Sequence, residues 1–270
     1  MSLDRELAGF RATHPPVRLV HQGAEWRYYR GGRGASTALL LGGALGVAEF
    51  AFQQIGLLEQ HVHVVAPDYP SVGTLGDLLD GLVAVLDEEG VRRAHVVGGS
   101  FGGLVAQALV RRHPERIASL VLSHTGAPDP GRRRRSAVAP LALLPTSLLR
   151  SLLRRRLGRT LVGADPFWRE YFDRVVAGLS KPDVLSRVWL AAEFAEQAGY
   201  APGDLAAWGG RVLILEADDD PLFPPAAREA LRALYPGAEV HTFHGTGHAA
   251  AVLRPDEYAA VLLRFFRAAA

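Results

Sequence analysis

Short runs of consecutive apolar, often β-branched residues punctuate the chain, each closed by glycine, proline or polar residues. The run 37–41 ends in Gly42-Gly43, 62–66 ends in Pro67-Asp68, and 95–97 ends in Gly98-Gly99. Further on, 119–123 ends in His124-Thr-Gly-Ala-Pro128, 211–215 in the acidic turn 216–220, and 239–243 in Gly245-Thr-Gly-His248. Runs that are apolar at nearly every position predict strands buried on both faces, the condition of a parallel sheet covered by helices on each side. The stretches between them carry the helical period. Leu75, Leu78, Leu79, Leu82, Val83 and Leu86 line one face of a helix over 75–89. Further helices are predicted around 49–60, 101–112, 225–235 and 255–267. The segment 26–29, just before Gly31-Gly32, predicts an antiparallel hairpin strand at the sheet edge.

The strand–helix rhythm breaks between about 129 and 207. There the chain turns helical and strand-poor, with aromatics that include Phe167, Trp168, Tyr171, Phe172, Trp189 and Phe194. An α/β core over 1–127 and 208–270, interrupted by a helical cap over 128–207, accounts for the break. In an open parallel sheet, ligands bind beyond the carboxyl ends of the strands, and every glycine-rich or polar turn named above lies at such an end.

Composition narrows the classes. A chain of 270 residues with 49% hydrophobic and 21% charged residues suits one globular domain, or a core with an insertion. It excludes a disordered tail, a coiled coil and a collagen. The absence of cysteine excludes a disulfide scaffold, thiolate metal sites and a cysteine nucleophile. The first ten residues carry acids and no apolar stretch, so no secretory signal is expected and the cytoplasm is the expected compartment.

The net charge of +2 argues against a polyanion partner until its distribution is considered. Residues 129–160 hold nine arginines (132–135, 150, 154–156 and 159) against one acid, Asp129, a block of +8 opposed by −6 elsewhere. Within it, Leu148, Leu149, Leu152, Leu153 and Leu157 predict the apolar face of a basic helix, capped by Thr146 or Ser147. Such a helix can lie on an anionic membrane surface, attract an anionic substrate, or simply pack on a core. No helix–turn–helix or aromatic-interleaved groove supports a nucleic-acid partner.

The sharpest chemical signal is Gly98-Gly99-Ser100-Phe101-Gly102-Gly103, between the strand 95–97 and an apolar helix. This is a G-x-S-x-G nucleophile elbow in the context it requires. The turn strains the Ser backbone and leaves no room for side chains two residues away, so glycines are needed at 98 and 102. The helix N-terminus beneath the hydroxyl favours negative charge. A Ser hydroxyl also needs a base, and the base an orienting carboxylate. These are expected at later strand ends, acid before histidine. Asp218, Asp219 and Asp220 follow the strand 211–215, and His248 follows the strand 239–243.

With these residues in view, the chain resembles the α/β-hydrolase fold superfamily from the mid-twenties to its end. The acid turn D-x-x-x-P is matched by Asp220-Pro-Leu-Phe-Pro224. The terminal G-H with a distal proline and apolar helix is matched by Gly247-His248, Pro255 and the residues to Phe266. The resemblance implies a mostly parallel, doubly wound sheet of about eight strands with an inserted helical cap. It implies Ser100 as nucleophile, His248 as base and then acid, and Asp220 as orienter. The oxyanion donors are expected to be the N–H of Phe101 and one from the loop after the first core strand, Ala44. That loop departs from the family's His-Gly-x by carrying Gly42 in place of the histidine, and the segment 67–73 departs from the D-x-x-G-x-G-x-S turn. Together with Gly98-Gly-Ser-Phe-Gly-Gly-Leu-Val-Ala-Gln107, it is similar to the maspardin-like branch.

What the resemblance implies is a serine hydrolase acting on an apolar acyl substrate, most commonly a carboxylic ester, with lactone, thioester and carbon–carbon cleavage as variants. A receptor or adaptor on the same fold is the alternative. His124, Phe167, Trp168, Phe172 and Trp189 are the expected pocket residues. No cofactor or metal is expected: His241, His244 and His248 alternate along a strand and loop, and no H-E-x-x-H occurs. Gly43 and Gly46 with Asp68 hint at a dinucleotide fingerprint, but the glycine it needs at 41 is Leu41.

Overall fold

The computed structural model of the protein describes residues 2–129, 135–161, 163–197 and 199–268. In chain order its elements are helix α1 (Leu3–Thr13), strands β1 (Val17–His21), β2 (Ala24–Gly31) and β3 (Thr37–Leu41), and helix α2 (Phe52–Leu58). Then come β4 (His63–Pro67), α3 (Leu75–Glu88), β5 (Ala94–Gly99), α4 (Phe101–Arg112) and β6 (Ile117–Ser123). Helices α5 (Arg135–Val138), α6 (Thr146–Leu157), α7 (Pro166–Gly178) and α8 (Lys181–Ala195) form the insertion. They are followed by β7 (Arg211–Ala217), α9 (Pro225–Leu234), β8 (Glu239–Phe243), α10 (Ala250–Leu253) and α11 (Pro255–Ala268). Arg132, Arg133 and Arg134 of the arginine run lie outside the described residues.

The strands make one eight-stranded sheet in the order β1-β2-β4-β3-β5-β6-β7-β8. The pairs β1–β2 and β2–β4 are antiparallel, and all the others are parallel. The mostly parallel sheet is as predicted, with one correction. The segment 26–29 is antiparallel, but β1 takes the sheet edge and β2 lies inside it. β1 has five residues, alternately half-buried and exposed, too short and too polar a pattern to stand out from a loop.

Each core strand feeds two cores. Ala38 and Leu40 enter one and Leu39 and Leu41 the other; Val64 and Ala66 divide from Val65, and Leu213 and Leu215 from Ile214. Ile55, Leu58, Leu262 and Phe266 of α2 and α11 cover the first face, and Leu78, Leu82, Val105 and Leu109 of α3 and α4 cover the second. Burying each such side chain contributes about 1.5–3 kcal/mol, so a strand apolar on both sides is held in register from both sides.

Helices α7 and α8 fasten the cap to the core. On α7, Trp168 stacks on Phe52 at 5.4 Å and Tyr171 meets Phe50 edge-on at 4.7 Å. The Tyr171 hydroxyl donates to Glu49 at 2.6 Å, a carboxylate that also accepts Arg11 at 2.6 and 2.8 Å. On α8, Ser186 donates to the Val72 carbonyl at 2.8 Å, Ser71 donates to Asp183 at 2.6 Å, and Glu193 accepts the Leu75 N–H at 3.1 Å. α6 departs from the expected single apolar face. Leu149 is buried and Leu153 and Leu157 are half-buried, but Leu148 and Leu152 are exposed. Nor do Thr146 and Ser147 cap it; Pro145 is the capping residue, and no side chain bonds the first turn.

Candidate active site

β3, β5, β6, β7 and β8 are parallel and consecutive in the sheet, so their carboxyl ends lie side by side. Ala44 follows the first of these ends, then Ser100, His124, Asp220 and His248 in turn follow the others.

Ser100 links β5 to α4 with φ 54° and ψ −114°, a conformation that costs a residue with a β-carbon about 1–3 kcal/mol. Neighbouring elements hold it there. Its N–H donates to the Ser123 carbonyl at 2.8 Å, and its own carbonyl accepts the Thr125 hydroxyl at 2.8 Å. A β-carbon at Gly98 would stand 2.7 Å from that of Ala106 and closer still to the Gly102 carbonyl. A β-carbon at Gly102 would stand 2.6 Å from the Gly42 carbonyl oxygen and closer still to that of Leu41. The second collision is with the end of β3, a neighbour the local motif does not reveal. α4 begins at Phe101, so its unpaired first N–H groups lie beside the Ser100 side chain.

His248 Nδ1 donates to Asp220 Oδ2 at 2.8 Å, which leaves Nε2 as the free ring nitrogen. The other Asp220 oxygen accepts the N–H groups of Leu222 at 2.8 Å and Phe223 at 3.3 Å. Burial opposes ionisation of Asp220, but the His248 contact and the Leu222 N–H outweigh it and hold its carboxyl below the usual carboxylate range. The three consecutive aspartates are thereby told apart. Asp218 bonds His244 at 2.7 Å on the surface, Asp219 accepts the Gly247 N–H at 2.8 Å, and Asp220 alone of the three bonds His248. Phe223 stacks on the His248 ring at 5.7 Å, and the His124 ring stands perpendicular to it, also at 5.7 Å.

His124 itself has φ 47° and is buried. Its Nδ1 meets the Ser123 hydroxyl at 3.0 Å, while Nε2 has no partner among the described residues. Burial, then the charge of His248, pushes its pKa well down, so the ring is neutral.

The loop after β3 runs beside Ser100: a β-carbon at Gly43 would lie 3.9 Å from that of Ser100. Here the two departures from the family pattern meet. The Tyr69 hydroxyl donates to the Gly42 carbonyl at 3.0 Å, and the Tyr69 N–H to the Gly46 carbonyl at 2.9 Å. Arg187, from cap helix α8, donates to the carbonyls of Tyr69 and, at 2.9 Å, Pro70. Sequence reasoning missed both residues. Tyr69 lies in the divergent segment 67–73, the one signal available; Arg187 is one of 29 arginines with no local mark.

Of the expected pocket aromatics, Phe167, Trp168 and Phe172 come together in the buried seam between α7 and the core. Trp189 is half-buried on α8, and its indole N–H is buried with no acceptor among the described residues. Among those residues, no three His, Asp or Glu side chains are grouped to hold a metal ion. Asp68 is engaged by the Ala48 N–H at 2.6 Å and by Arg27 at 3.1 Å.

Residues 19–261 match the model of the alpha/beta hydrolase family. The chain is similar to the 2-hydroxy-6-oxononadienedioate/2-hydroxy-6-oxononatrienedioate hydrolase of Burkholderia vietnamiensis, at 27% identity over 95% of this chain and 96% of that one. It is similar to maspardin of Danio rerio at 26% identity, over 86% of this chain and 75% of that protein. A hydrolase of Pseudomonas aeruginosa shares the fold with a TM-score of 0.75 at 24% identity, over 93% of this chain and 98% of the other.

Proposed function

We propose that this chain, which belongs to the alpha/beta hydrolase family, is a serine hydrolase that cleaves a carboxylic ester or related acyl bond of an apolar small molecule through an acyl-enzyme. The observation that carries this reading is the strained Ser100 at the start of α4, set on the same sheet end as the 2.8 Å Asp220–His248 pair.

In this mechanism Ser100 Oγ attacks the acyl carbon while His248 Nε2 accepts its proton. The imidazolium so formed is stabilised by Asp220 through Nδ1–H. The oxygen of the tetrahedral adduct takes up the negative charge and accepts the N–H groups of Phe101 and Ala44. Collapse breaks the bond to the alcohol, which leaves with the proton from His248, and the acyl group stays on Ser100. Water then attacks, giving its proton to His248; Ser100 departs, recovers that proton, and the acid is released. The pocket wall is assigned to His124, whose buried Nε2 has no partner among the described residues, and to Trp189, whose buried Nε1 likewise has none, with Phe167, Trp168 and Phe172 backing the cap.

The test is turnover of p-nitrophenyl esters of graded chain length, with labelling by a fluorophosphonate. Wild type labels and turns over; Ser100→Ala does neither, with a rate at least about 10³-fold lower. Equal rates in the two proteins would sink the mechanism. A folded wild type that neither labels nor turns over supports the alternative, a receptor or adaptor on this fold.

A further inference from the structure

We propose that the outer face of α6 and the turn before it form a docking surface for an anionic lipid bilayer. Five large hydrophobic side chains stand out as exposed among the described residues. Val20 and Val240 sit apart on the outermost strands β1 and β8, whereas Leu143, Leu148 and Leu152 fall within ten residues of the cap, at 86%, 43% and 42% exposure. Leu148, Leu152, Arg155 and Arg159 follow one another at spacings of four, three and four, so they make one stripe along the helix and the turn that follows it.

The arginines divide as the leucines do. Arg150 donates to the Leu179 carbonyl at 2.8 Å, and Arg154 pairs with Asp173 at 3.2 Å. Arg155, Arg156 and Arg159 are exposed and make no ion pair among the described residues. They belong to the +8 block, in a chain whose remainder is −6. Three exposed arginines beside the exposed leucines favour a negative surface.

Leucine is under-represented among the anchors of protein interfaces, whereas exposed leucines flanked by arginines are what a helix lying in the headgroup–acyl boundary of a bilayer presents. No helix among the described residues is long and apolar enough to cross a membrane, so contact lies in the membrane plane. The adjoining face of α6 carries Leu149 and Leu153 into a small core with Leu179 and Val184, against which Leu45 of the loop bearing Ala44 also packs. The docked helix is therefore linked through this small core to the loop bearing Ala44. That last step rests on the hydrolase reading, with the bilayer as the source of apolar acyl substrate.

The experiment is cosedimentation of the full chain with vesicles of phosphatidylcholine, alone or with one-third phosphatidylglycerol. Wild type is expected to bind only the anionic vesicles at about 0.1 M salt, and to be released near 1 M, where the screening length falls from about 10 Å to about 3 Å. The triple variant Arg155→Gln/Arg156→Gln/Arg159→Gln is expected to bind about a hundredfold more weakly, and Leu148→Ser/Leu152→Ser about tenfold. Both are expected to keep wild-type thermal transitions and turnover of a soluble ester. Failure of folded wild type to bind anionic vesicles overturns the proposal, as does undiminished binding by either variant. A wild-type dimer that Leu148→Ser/Leu152→Ser converts to monomer assigns the face to a second copy and overturns it too. Ser100→Ala is expected to bind vesicles as wild type does, so loss of docking and loss of catalysis are read separately.

Discussion

The guanidinium of Arg187 packs directly on the backbone of Gly46, where a β-carbon would stand 2.5 Å from one of its nitrogens. Gly46 has φ 68° and closes the loop that carries the Ala44 N–H. Through the carbonyls of Tyr69 and Pro70, Arg187 also fixes the tyrosine whose hydroxyl holds Gly42. A residue of the cap and one of the core thus brace the loop where the family writes a histidine.

Under the proposed mechanism, Arg187 is a positioning residue. Arg187→Lys keeps the charge but loses the planar fork that spans two carbonyls. Gly46→Ala introduces the collision and a strained φ. Each is expected to lower kcat about 10- to 100-fold while KM moves little, because an oxyanion donor acts in the transition state. Steady-state kinetics with thermal melts decide it: an unchanged kcat in both variants removes the brace from the mechanism.

Asp220→Asn is expected to cost about 10⁴-fold in kcat through the wrong His248 tautomer. Asp218→Asn, whose side chain meets surface His244 and the Gly245 N–H but not His248, is expected to stay within about twofold. Because the folded carboxyl of Asp220 is held low, its stabilising contribution is present at neutral pH and is lost as pH falls through that lowered value. Equal losses from the two substitutions would show that the hydrogen-bond geometry does not select the acid.

His124 acts in the same direction, over a higher pH window. Its folded pKa lies well below the ordinary imidazole value near 6.5, so on acidification the unfolded chain takes up a proton that the folded one refuses. Stability then falls by up to about 1.4 kcal/mol per pH unit below about 6.5. His124→Asn, which tolerates the positive φ, is expected to flatten this acid limb in urea denaturation measured from pH 7 to 4. An unchanged slope would mean that the buried imidazole is not the group responsible.

Gly102→Ala is expected to destabilise by at least about 3 kcal/mol or to prevent folding, since its β-carbon would overlap the backbone of β3 and the loop after it. Gly56→Ala, on α2 with nothing within 4 Å, is expected to stabilise by about 0.5–1 kcal/mol. Urea midpoints for the two compare a close approach with a merely permissive glycine.

Much of the architecture was legible because it follows from short-range rules. A strand buried on both faces must be apolar throughout, and a helix on a sheet must repeat its apolar residues, so β3 to β8 and α3, α4, α9 and α11 could be read directly. The edge strand β1 could not, since two of its five residues are exposed and none is fully buried. Helix α1 likewise buries only Leu7 and Phe10, too few to set a period.

The elbow at Ser100 is local chemistry written in neighbouring residues, and it belongs to what the sequence by itself determined. So does the rest of the strand-end grammar that lines up Ser100, His124, the acidic turn and His248. Which aspartate meets His248 was decided only in three dimensions, because consecutive turn residues point different ways and one bond selects among them. The Tyr69–Arg187 brace, 118 residues apart along the chain, and the exposure of Leu148 and Leu152 were decided there as well. These depend on how the cap sits against the core, and that is set by long-range packing that no local pattern encodes.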